Sequence, residues 1–232
     1  LPGLQEFGRE PALHAVDMSP YLLTANTVVA QRALAVMRLC GVVAPAAAAL
    51  NNGRVLCWDC LAPGRLANRL ALQRCLVLTA AGVYERFANY VVSYAAERMA
   101  GRLLYLEQRG LLHLLVAAKQ LARQAWREER GLPANKPATG EPAFISIRDV
   151  ATLPDTEFSS LKALRDGVAN FAPFKAGLLD SPAWQQLWAE AEAESARLTA
   201  LLPPELRPGA AAAAGEQEGE EDEGWGSDGS PT

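Results

Sequence analysis

The sharpest local chemistry in the sequence is Cys57-Trp58-Asp59-Cys60. Two thiolates at this spacing can share one tetrahedral zinc ion. Cys40 and Cys75 would complete a four-cysteine set if the helix ends that carry them converge. A second close cysteine pair is missing, and the histidines, His14 and His113, lie far off in sequence. The same motif suits a redox dithiol, but the βαβ setting such a pair needs is not legible around it. Its plainest use is as buried structural thiols, which pack as small hydrophobes. Zinc is therefore the one cofactor these residues point to, with structural thiols as the competing use.

Lys119, Arg123, Arg127 and Arg130 recur at helical spacing on one face. Such a stripe can track phosphates, so it is the candidate surface for RNA or DNA. Arg98, Arg102 and Arg109 would widen it if two helices lay side by side. No aromatic interleaves with the stripe as single-strand binding prefers, so a solvated face is the alternative. Trp184 and Trp188, one helical turn apart, can anchor a protein partner or close their own core. Trp225 stands among acids, where a basic groove could capture it. The acids Glu190, Glu192 and Glu194 read as a solvated helix face.

No catalytic residue can be named. There is no phosphate-binding glycine loop, no HExxH and no GxSxG. With two histidines, neither near an acidic pair, general acid–base chemistry has few candidates. The expectation is a protein that is not an enzyme.

The elements that must position these residues are helical. Half of the 232 residues are hydrophobic, and much of that content is Ala and Leu. The expected class is all-α: an antiparallel helical bundle, a smaller helical segment, and a disordered acidic tail. Residues 1–18 form a lead-in. Residues 19–130 form the bundle, starting at the Ser19-Pro20 helix start, with Gly41 as the first stop. A short Ala-rich helix from Pro45 and an Asn51-Asn52-Gly53 turn come next. Pro63 opens another helix. The pattern then predicts one long helix over 83–109 and another over 111–130, whose apolar positions include Leu114 and Leu121. Residues 131–142 form a linker, and 143–207 a smaller segment packing on the bundle. Within that segment 144–147 is β-like, a helix is expected around 157–167, 171–180 is an apolar loop, and Ser181-Pro182 starts the last helix. Residues 208–232 are the tail.

Charge follows the same division. Residues 1–130 carry 15 basic and nine acidic groups, while 131–209 carry seven and ten. After Arg207 there is no basic residue, and seven of the 26 acids follow. Without them the net charge of -4 becomes +3, from 22 basic against 19 acidic residues. Docking of the downstream part or the tail on the basic part is electrostatically reasonable. Ser227, beside acids, and Ser230, before Pro231, are candidate phosphorylation sites. No membrane span or secretory signal is expected. Four cysteines suit a reducing compartment, cytosol or nucleus. The start at Leu1 rather than Met suggests sequence upstream.

Only four basic residues are Lys, at 119, 136, 162 and 175, against 18 Arg. Together with the Ala/Leu-rich helices, Leu111-Leu112-His113-Leu114-Leu115 and Glu220-Glu221-Asp222-Glu223-Gly224-Trp225, this resembles the tegument proteins of GC-rich alphaherpesviruses. The likeness is to the C-terminal portion of the large tegument phosphoproteins. It implies a non-enzymatic virion component that binds viral or host proteins, with nuclear traffic and RNA contact.

Overall fold

Ala, Leu and Arg dominate the segments that become helix, and all three have high helix propensity. A computed structural model describes residues 27–42, 44–45, 56, 59–76, 87, 90–133, 139–165 and 171–209. The described part is mostly helical, as the composition predicts. The first helices are α1 (Thr27–Leu39), α2 (Pro63–Leu76) and α3 (Ala96–Gln108). A 3-10 turn, Leu112–Leu114, leads to strand β1 (Leu115–Val116) and helix α4 (Lys119–Glu129). Strand β2 (Ile145–Ser146) precedes α5 (Ile147–Thr152), α6 (Asp155–Ser159), α7 (Lys162–Arg165), α8 (Phe171–Ala176) and α9 (Pro182–Leu201). None of the described helices is long and apolar enough to cross a membrane. The expected lead-in, the helix start at Ser19, residues 46–53, Cys57 and the tail from residue 210 with Trp225 lie outside the described residues.

α2 packs on both α3 and α9. The apolar faces meet in a core that includes Leu66, Leu72, Met99, Leu103, Leu187 and Leu198, all essentially inaccessible. Burying one such side chain stabilises the fold by about 1.5–3 kcal/mol. Gly101, in the middle of α3, has a packing reason: a Cβ there would stand 2.6 Å from the Leu178 side chain. Polar groups fasten α9 to α2. Arg69 pairs with Glu194 at 3.2 Å, Arg74 pairs with Glu190, and the Ser195 hydroxyl donates to the Leu61 carbonyl at 2.7 Å. Glu190 and Glu194 are thus docking groups rather than the solvated acids expected of that face. At the C-terminal end, Arg32 of α1 donates to the carbonyls of Leu206 at 2.6 Å and Arg207 at 3.1 Å.

Three local expectations are corrected. The helix expected over 83–109 is interrupted: residues 90–93 are helical, Tyr94 and Ala95 are not, and α3 restarts at Ala96. Residues 111–118 are not α-helix. Gly110 takes φ +66°, and Leu115–Val116 pairs in parallel with Ile145–Ser146. The loop expected over 171–180 begins as α8, because Phe171 and Phe174 both reach the Tyr105 ring, with centroids 5.4 and 5.2 Å away. The β-like run at 144–147 supplies β2, and Gly41 ends α1 at φ +81°.

Arg102 does not widen a surface patch. It is fully buried and binds the carbonyls of Val150 at 2.7 Å and Leu153 at 2.8 Å, and the Asp155 carboxylate at 2.6 Å. Its guanidinium lies 4.6 Å from the Phe158 ring centre and 5.7 Å from that of Phe171.

Candidate functional site

The basic stripe lies on α4, a helix with no buried residue. Leu121, expected in its core face, is 68% exposed. Carboxylates from the downstream segment meet the stripe. Lys119 Nζ stands 2.7 Å from Asp149 Oδ2. Arg123 Nε is 3.0 Å from Glu141 Oε1, while Arg127 donates through Nη2 and Nε to Glu141 Oε2 at 2.7 and 3.1 Å. One carboxylate therefore bridges two guanidiniums. Arg130 pairs with Glu129 of its own helix and stacks on Trp126, 4.5 Å from the ring centre. The aromatic that the spacing did not reveal is thus one turn back on the same helix.

Asp149 is locally fixed. It completes a capping box at the start of α5, accepting from the Ser146 N–H at 2.7 Å while the Ser146 hydroxyl accepts from its own N–H at 3.1 Å. Burial pushes its carboxyl pKa up. The bonds from Lys119 and Ser146 outweigh that and hold it below the ordinary value. Between α4, residues 139–145 and Leu161–Lys162 lies a cleft of about 670 Å³. Four cations, Lys119, Arg123, Arg127 and Lys162, face the single carboxylate of Glu141 within it. No carboxylate pairs with Lys162 among the described residues.

A second groove, of about 410 Å³, lies on α9. Ser181 caps the helix by accepting from the Trp184 N–H at 3.2 Å, with Pro182 in the first turn. That start places Trp184 and Trp188 in a stack with centroids 5.5 Å apart. Trp184 is buried and Trp188 half-buried, its indole N–H donating to Glu192 at 3.0 Å. Leu179, 57% exposed, adds apolar surface beside them, and Glu97 and Glu192 flank the groove with negative charge. Leu179 and Glu97 carry no sequence signal for this role; only the fold brings them to the tryptophans.

No known protein family, curated protein or solved structure matches this chain. The reading of these sites therefore rests on their own chemistry.

The cysteines divide. Cys40 and Cys60 are buried; Cys75 is half-buried beside Glu107 and Arg74. Burial, then Asp59 and Cys40, pushes the Cys60 thiol up to about 12. Burial and Glu107 push Cys75 up to about 12 as well. Reactive cysteines have lowered values, so these thiols have the character of packed hydrophobes. Among the described residues no group of three or more His, Cys, Asp or Glu is placed to hold a metal ion. Alkylation of the native chain followed by peptide mass spectrometry should leave Cys40 and Cys60 unlabelled until denaturant is added. Labelling in the native state at the rate of an exposed thiol would remove the buried-thiol assignment.

Proposed function

We propose that the chain is a non-enzymatic protein-interaction module whose docking groove is the Trp184–Trp188 surface of α9. What carries the reading is the chemistry of that groove: an apolar floor of two stacked indoles and Leu179, with Glu97 and Glu192 at its edge. Tryptophan is enriched at interface hot spots, and the exposed Leu179 beside the half-buried Trp188 adds apolar area that can desolvate a partner's side chain. The flanking acids favour a partner segment with a large apolar residue next to Arg or Lys. The compositional resemblance to alphaherpesvirus tegument phosphoproteins makes a viral or host protein the partner, met in the virion, cytoplasm or nucleus.

A random-peptide display library tests this. Enriched peptides should pair an aromatic or leucine with a nearby basic residue, and Trp188→Ala with Leu179→Ser should abolish the enrichment. Peptides without that signature, or enrichment that survives both substitutions, would sink the proposal.

The alternative, RNA or DNA on the Lys119, Arg123, Arg127 and Arg130 face, is weakened by the pairing of each of these cations with a carboxylate. Those carboxylates already neutralise much of the stripe, so phosphates would gain less from it than from a bare row of cations. RNA retention at low salt that disappears in Arg123→Glu would favour this alternative.

A further inference from the structure

We infer that the α4 cleft is a receptor for an acidic segment, and that its occupant is this chain's own 216–228 stretch. The cleft has already selected carboxylate as its ligand. Glu141 sits across Arg123 and Arg127 with three contacts between 2.7 and 3.1 Å. With Asp149 already paired to Lys119, that acid still leaves a surplus of cation, because Lys162 also lines the cleft and Arg123 is 52% exposed. Arg123 meets Glu141 through Nε alone and is half exposed, so its terminal N–H groups and the Lys162 ammonium can take a second acid, which is how basic clusters read acidic motifs. Pro142, Phe144 and Leu161 line the cleft with apolar surface. The matching ligand is therefore several carboxylates close to an aromatic.

The sequence contains such a segment. Glu216, Glu218, Glu220, Glu221, Asp222 and Glu223 precede Trp225, and Asp228 follows it, with no basic residue after Arg207. The chain can also reach. The described structure ends at Gly209, so Asp222 lies 13 residues further on. An extended chain spans up to about 3.5 Å per residue, on the order of 45 Å here. A folded body of about 200 residues has a radius of gyration near 16 Å and a diameter of roughly 40 Å, so the path half-way round its surface is roughly 60 Å; Asp222 covers most of that path, and Asp228, 19 residues beyond Gly209, spans about 65 Å. Docking within one chain also gives the acids a millimolar-scale effective concentration, roughly, without any strong individual contact.

Zero-length carbodiimide crosslinking of the full chain, read by mass spectrometry on the monomer band, tests the assignment. The Lys119–Asp149 pair, 2.7 Å apart, is the internal control. The expected result is crosslinks from Lys119 and Lys162 to the acids of 216–228, with Lys175 spared. Those crosslinks should be lost at high salt and in Arg123→Gln, while Lys119–Asp149 persists. In a second measurement, a fluorescent peptide of residues 214–230 should bind the full chain carrying Glu220→Gln, Glu221→Gln, Asp222→Asn and Glu223→Gln, and bind the unmodified chain far less. Three results would overturn the inference. Tail crosslinks could be spread evenly over all four lysines regardless of Arg123. They could occur only in the dimer band, making a second copy the occupant. Or an oligouridine probe could bind the unmodified and tail-neutralised chains equally, leaving the cleft open to a different ligand.

Discussion

Replacing Arg102 by methionine is expected to lower stability by roughly 3–5 kcal/mol, seen as a lower urea midpoint with an unchanged slope. The effect is large because Arg102 is the C-terminal cap of α5. In a helix the Val150 carbonyl would accept from residue 154, but that residue is Pro154 and has no N–H. The Arg102 guanidinium supplies the donor, and a second one for Leu153. Methionine fills part of the volume and leaves both carbonyls unpaired, at about 1–3 kcal/mol each. Lysine keeps the charge but not the planar fork, so Arg102→Lys should recover only part of the loss. Asp155→Asn is the control: its side chain is 38% exposed and the ion pair is screened, so it should cost about 1 kcal/mol or less. Equal costs for Arg102→Met and Asp155→Asn would show that the ion pair, not the carbonyls, holds the site.

The same cluster gives acid unfolding a sign. Bonds from Lys175 and Arg102 hold the Asp155 carboxyl below its ordinary value. Glu194 is lowered as well, first by Arg197, then against burial and with help from Arg69. A carboxylate whose pKa is lower folded than unfolded stabilises the fold above its unfolded value and loses that contribution as pH falls through the folded one. The urea midpoint should therefore be flat near neutrality and fall below about pH 4, where ordinary carboxylates titrate. Asp155→Asn should flatten part of that fall.

What the sequence made legible is what depends on neighbouring residues. Ser181-Pro182 announces α9, Gly41 and Gly110 announce stops, and of the apolar positions spaced along α9, Trp184, Leu187, Trp188, Ala191 and Leu198, all but the half-buried Trp188 end up buried. What it hid depends on residues far along the chain. Leu111 to Leu115 is an apolar run that suits helix or strand, and the choice falls to Ile145, which supplies the strand partner. The stripe of α4 was legible as a row of cations but not as a row of paired ones. Glu141 lies between Gly140 and Pro142, in a stretch that reads only as linker, and Asp149 belongs to a helix the pattern did not predict. The tryptophan groove was half legible: the pair at one-turn spacing shows in the sequence, while Leu179 and Glu97 join it through packing alone.

Asn68 accounts for the break that helical periodicity could not foresee, and Asn68→Asp is expected to cost roughly 3 kcal/mol, since it leaves the buried Val91 carbonyl without its donor, removes one of two donors from the Tyr94 carbonyl, and sets a carboxylate against both. Asn68 is fully buried on α2. Its amide donates to the carbonyls of Val91 at 3.1 Å and Tyr94 at 2.8 Å, and its oxygen accepts from the Ala100 N–H at 3.1 Å. Arg65, one turn earlier, adds a bond to the Tyr94 carbonyl at 2.9 Å. A helix that stops at residue 93 frees carbonyls, of which that of Val91 is buried and that of Tyr94 partly so, and the stop is held by the donors a neighbour supplies to them. Aspartate is nearly isosteric but has no N–H to give; its carboxylate would face both carbonyls as an acceptor. Asn68→Leu removes the same donors without adding charge and should cost less than Asp. Hydrogen exchange localises the effect. Amides of residues 90–100 should lose protection in Asn68→Asp well before those in the middle of α9. Uniform loss of protection along the chain would mean that Asn68 contributes to the core as a whole and is not the device that holds the break.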